Sequence, residues 1–159
     1  MVVFVSRRNT LRSVLAEACL THLGAKRFIA FSCGDPSLLK KEIHPAAVGA
    51  LASASIPLVQ HPRRGWDELT RPGAPKADFV ITLDEAMVAK QPRWPGQPDT
   101  ALWALPDAAA IVDPEEAAHA SIQILHSLRR RLELLISLPL HGSDRSAIRS
   151  DLRDMAHMR

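Results

Sequence analysis

At 159 residues, with 47% apolar side chains and a net charge of +3, the chain is long enough for one buried core and gives no reason to expect two domains. So mild a charge permits an anionic ligand but does not call for a nucleic-acid surface. Its two cysteines, Cys19 and Cys33, are spaced neither as a CxxC pair nor as a metal clip, which excludes a disulfide framework and suits a reducing, cytoplasmic setting. The chain opens on "VVFV", a β-branched apolar run expected to form a strand buried on both faces, hence part of a parallel sheet. No basic segment precedes this run, so no secretory leader is expected. From 11 to 23 the apolar positions Leu11, Val14, Leu15, Ala18, Cys19 and Leu23 recur at helical spacing, and Gly24 suits the cap. "RFIAFS" predicts a second strand and "HPAAVGALASAS" a second helix, too short and interrupted to span a bilayer.

A long loop follows, with one helical turn at "WDEL", and then "DFVITL" predicts a third strand. "QPRWPGQPDT" is rich in turn residues, and "ALWAL" predicts a short fourth strand. Asp113, Pro114 and Glu116 mark the start of a long helix to about residue 137, which Pro139 stops. "SDRSAIRSDLRDM" predicts a last amphipathic helix. Strands alternate with helices, so the fold class is α/β with a parallel sheet, and no repeat interrupts it. The expected organisation is a single domain over 1–159, its C-terminal helices beginning near 113.

Chemistry concentrates where the first strand meets the first helix, in "VVFVSRRNTLRSVLAEA". A strand, polar loop and helix N-terminus together offer backbone N–H groups and a positive dipole end to an anion. Arg12 is suited to grip two anion oxygens, while Ser6 and Ser13 add hydroxyl donors. This stretch resembles the anion loop of the low-molecular-weight protein tyrosine phosphatases and of the arsenate reductases that share their fold. That family has an apolar strand, Cys, five residues, Arg and Ser. Here Ser6, five residues, Arg12 and Ser13 keep the spacing, with Asn9 in the asparagine place. "PGAPKADFVITLDEAMVAKQPRWPGQPDTALWALPDAAA" and "SLRRRLELLISLPLHGSDRSAIRSDLRDM" resemble the thioredoxin-coupled arsenate-reductase branch.

The resemblance implies a four-stranded parallel sheet flanked by helices. It places the nucleophile position at Ser6, the anion-holding arginine at Arg12 and the general-acid position at Asp107. Ser6, Arg7, Arg8, Asn9, Thr10, Leu11, Arg12 and Ser13 form the anion-binding loop. It also exposes departures: Ser6 replaces the cysteine, Arg8 the glycine, Asp84 and Gln91 the two resolving cysteines, and Ala108 the proline after Asp107. A serine hydroxyl needs an adjacent base that a thiolate does not, and no histidine neighbours Ser6 in the sequence.

The expected function is therefore a degenerate phosphatase- or arsenate-reductase-like protein lacking the family activity. It would bind an oxyanion such as phosphate, sulfate or arsenate, or a protein partner. The alternatives are an active phosphatase or reductase captured as a Cys-to-Ser mutant, and a homodimeric interaction module built on "LELLISLPL". No metal, cofactor, nucleic acid or membrane is called for. Arg8 is expected to strain the loop, to act as a second cation or to fill the cradle. Asp84 is read as a helix cap, "RRR" at 129–131 as a solvated helix face, and both cysteines as buried packing.

Overall fold

The structure is a computed structural model that describes residues 1–24, 26–138 and 145–158. Four short strands, β1 (Val2–Val5), β2 (Ala30–Cys33), β3 (Phe79–Thr82) and β4 (Asp99–Leu102), form one sheet in the order β2-β1-β3-β4, parallel throughout. Among the described residues five α-helices accompany it: α1 (Arg12–Gly24), α2 (Pro45–Ser53), α3 (Asp67–Thr70), α4 (Pro114–Ser137) and α5 (Arg145–Asp154). Strand alternation explains why "VVFV" is apolar at every position. Val2 and Phe4 join the core cluster that contains residues of α1, α2, α4 and α5, whereas Val3 and Val5 face a smaller cluster with Trp66, Leu69 and Trp94. The sheet is covered on both faces, as the unbroken run requires.

Two strands are displaced from their expected places. β2 begins at Ala30 rather than Arg27, because its parallel register aligns Ala30 with Val2 and Cys33 with Val5. β4 takes Asp99 and Thr100 from the expected loop and ends at Leu102, in register with Phe79–Thr82. Asp99 is tolerated in the strand, only 5% exposed, because Arg149 of α5 donates to its Oδ1 at 2.7 Å. Beyond β4, the N–H groups of Trp103 and Leu105 bond to the carbonyls of Thr82 and Leu83, and so place Asp107 over the carboxyl end of the sheet.

Helix α4 starts where expected: Pro114 is its first residue and the Asp113 side chain accepts from the Glu116 N–H at 3.0 Å. The helix ends at Ser137, and the expected stop at Pro139 lies outside the described residues. Its buried stripe includes Leu125, Leu128, Leu132 and Leu135, so Leu132 and Leu135 of the leucine-rich segment are spent on the core, and among its described leucines Leu134 alone is strongly exposed. The solvated-face reading of the arginine run fails at Arg131, which is 4% exposed and packs over the Trp103 ring. Both cysteines are buried as expected, as are all three tryptophans. Among the described residues no helix is long and apolar enough to cross a membrane.

Candidate functional site: an anion loop closed by ion pairs

The loop between β1 and α1 lies at the carboxyl end of the central strand, next to the point where strand order reverses between β1 and β3. Its backbone is anchored from below. The Ser6 N–H bonds to the Cys33 carbonyl, and the Arg7 carbonyl accepts from the Asp35 N–H. Gly34 passes so close that a Cβ there would lie 2.9 Å from both the Arg7 carbonyl oxygen and the Asn9 nitrogen. Asn9 takes a left-handed φ of 56°, a conformation asparagine accepts more readily than most residues. Its Nδ2 donates to Ser13 Oγ at 3.0 Å, while its Oδ1 accepts from the Arg64 N–H at 2.9 Å. Arg63 donates to the Asn9 carbonyl at 2.7 Å. Asn9 is therefore the brace of the loop.

Ser6 is 2% exposed, and its Oγ shares a 2.6 Å hydrogen bond with Ser13 Oγ. Among the described residues, neither a histidine nor a carboxylate hydrogen-bonds to that oxygen. Thr10 and Leu11 complete the wall of the small cavity over Ser6. The backbone N–H groups of residues 7–11 find no backbone acceptor among the described residues. N–H groups of this kind are the donors with which a loop at a helix N-terminus meets an anion in general.

The side chains around this nest are already engaged. Arg12, 4% exposed, donates to Asp84 Oδ2 at 2.6 Å, Asp107 Oδ1 at 3.3 Å and the Leu105 carbonyl at 3.0 Å. Arg7 holds both oxygens of Asp84, at 3.0 and 3.3 Å, and Arg8 holds both oxygens of Asp107, at 3.0 and 3.1 Å. Three guanidinium groups thus meet two carboxylates, leaving one net positive charge. Burial works against the Asp84 carboxylate, but the hydrogen bonds from Arg7 and Arg12 outweigh it and hold its pKa below the ordinary carboxylate value. The same bond to Asp84 raises Arg7. The cavity left between Ser6, Thr10, Arg12 and Asp107 measures about 10 Å³, barely the space of one water.

The sequence-predicted residues therefore do converge: Ser6, Arg12 and Asp107 border one small cavity, and Arg7, Arg8, Asn9 and Ser13 surround it. Of the three expectations for Arg8, backbone strain is ruled out, since Arg8 is not among the residues of positive φ. Its side chain instead neutralises Asp107. Asp84 does cap the short turn after β3, accepting from the Ala86 N–H at 2.9 Å, but it also occupies Arg12. Gln91 serves structure: it donates to Thr82 Oγ1 at 2.7 Å and accepts from Trp94 Nε1 at 2.9 Å.

Sequence reasoning missed the layer behind the loop. Glu17 of α1, 2% exposed, accepts from Ser32 Oγ at 2.8 Å and faces His61 Nε2 at 2.7 Å. Arg63 joins the His61 carbonyl to the Asn9 carbonyl. An acid on the buried face of α1 was the available signal that a polar partner had to reach it.

Comparison with known proteins bears on this geometry. A curated relative, the glutaredoxin arsenate reductase of Synechocystis sp., is 31% identical over 106 residues, covering 67% of this chain and 76% of its own. A solved arsenate reductase in the phosphate binding state is 26% identical with a TM-score of 0.67, over 86% of this chain and 95% of that one. The tyrosine phosphatase Wzb from Escherichia coli K30, solved in complex with sulphate, has a TM-score of 0.65 at 18% identity, covering 84% of this chain and 96% of that one, and supports the fold. The family model described as low molecular weight phosphotyrosine protein phosphatase matches residues 1–136. With the sheet order, the loop and this match in agreement, the chain belongs to the low molecular weight phosphotyrosine protein phosphatase family.

Proposed function

We propose that this chain is a member of its family without the family's covalent chemistry, retaining an anion nest that its own carboxylates guard. The observation that carries the reading is the pairing of Arg12 with Asp84 and Asp107 beside a Ser6 whose hydroxyl, among the described residues, meets only Ser13. A serine without a base leaves the first step, attack on phosphorus or arsenic, without an activated nucleophile. Arsenate reduction further consumes thiol electrons. Asp84 and Gln91 supply none, and Cys19 and Cys33 lie buried, with burial pushing the Cys19 thiol up to about 11 and the Cys33 thiol higher still.

Oxyanion binding survives in weakened form. The unpaired N–H groups of the loop favour phosphate or sulfate. Relatives solved in a phosphate binding state and with sulphate support that ligand class. Here the ion must displace Asp84 from Arg12 to enter.

The test is turnover. Purified protein is expected to hydrolyse p-nitrophenyl phosphate no faster than buffer, and to reduce no arsenate with thioredoxin or glutathione. Turnover that disappears in Ser6→Ala would overturn the reading.

A further inference from the structure

A second cavity opens beside the closed nest, of about 450 Å³, within the size range of small-molecule sites. Three loops from the carboxyl ends of strands build it: Arg7 and Arg8 follow β1, Leu38 and Lys40 follow β2, and Met87 and Lys90 follow β3. Among the described residues, four cations and no carboxylate line it. Their charges are not equally available. Arg7 and Arg8 each hold a carboxylate, Asp84 and Asp107 respectively. Lys40 and Lys90 are exposed and have no ion-pair partner among the described residues, so two positive charges remain to be met. Leu38, 37% exposed, and the buried Met87 give the same cavity an apolar side.

We infer that this cavity binds a small organic dianion carried on an apolar body, its charges on Lys40 and Lys90 and its body against Leu38 and Met87. The two lysines supply mobile point charges rather than the planar fork of arginine, so the cavity selects for charge and size more than for one oxyanion geometry. This site differs from the nest over Ser6 and does not depend on whether the nest admits an ion. A ligand of this size cannot enter a 10 Å³ space.

The probe is naphthalene-1,5-disulfonate, titrated by calorimetry against the full chain, with inorganic sulfate as the bodiless control. The disulfonate is expected to bind more tightly than sulfate, and Lys40→Ala/Lys90→Ala to weaken it by about tenfold or more, as the loss of two charged contacts implies. Leu38→Gln is expected to weaken the disulfonate and leave sulfate unchanged. Both sets of changes are at exposed positions, and circular dichroism checks that the fold is intact. No disulfonate binding by the parent, or equal binding by the double-lysine variant, would overturn the inference. Disulfonate binding unaffected by Leu38→Gln would also overturn it, because the apolar side of the cavity would then make no contact with the ligand.

Discussion

Asp84 meets three demands with two oxygens: it caps a turn through the Ala86 N–H, accepts two bonds from Arg7 and neutralises Arg12. Asp84→Asn keeps an oxygen for the cap but removes the charge, leaving a buried guanidinium short of a partner. Stability at neutral pH is expected to fall by about 3 kcal/mol, read from urea unfolding. The pH dependence follows from the lowered carboxyl. A pKa depressed in the folded state contributes stability that is complete above the unfolded value and is lost as pH falls through the folded one. The parent should therefore lose more stability than Asp84→Asn between about pH 6 and pH 2. Equal acid losses would show that the Arg7 and Arg12 pairs contribute nothing there. The same substitution frees Arg12 for a ligand, so sulfate should raise the melting temperature of Asp84→Asn more than that of the parent. A larger shift in the parent would mean that Asp84 does not compete for the anion.

At the scale of elements, the loop depends on what lies beneath it. Gly34→Ala would drive a Cβ into two backbone atoms of the loop rather than into the end of a flexible side chain. A loss of about 1–3 kcal/mol is expected, together with a smaller sulfate-induced shift, both read by thermal melting. Helix α4 carries a different liability. Among the described residues Arg131 donates one bond, to the Met158 carbonyl, while its Nε and Nη1 are buried and find no partner there. Burial accordingly lowers its pKa. Arg131→Met keeps much of the length against Trp103 and removes the orphaned donors, so it should raise the melting temperature. A lower one would show that the Met158 bond and the ring contact outweigh the burial cost. The spacing of the sequence contained this clue. Ile124, Leu128, Leu132 and Leu135 define a stripe to which position 131 belongs, and reading the three arginines as one charged run hid it.

For the whole molecule, what was legible followed from local chemistry. The unbroken apolar run of β1, the cap at Asp113 and the periodicity of α1 each act within a few residues. The convergence of Ser6, Arg12 and Asp107 was legible only through resemblance, since no spacing reveals which loops meet. The decisive contact, Arg12 with Asp84, joins residues 72 positions apart. Nothing around Asp84 distinguishes a capping aspartate from one that also fills an anion site. Likewise, β4 moved because its register to β3, not its own composition, decides where it begins.

The strand order has a consequence in time as well as in space. β1 pairs on one side with β2 and on the other with β3, and Val2 meets Phe79, made 77 positions later. At about 5–20 residues per second on a ribosome, the apolar central strand waits about 4–15 s with one edge bare. Its neighbours in the nascent chain cannot supply that edge, because a parallel partner must come from the far side of a crossover. For those seconds "VVFV" is an open template for another chain, and a chaperone that shields apolar segments has that interval in which to act.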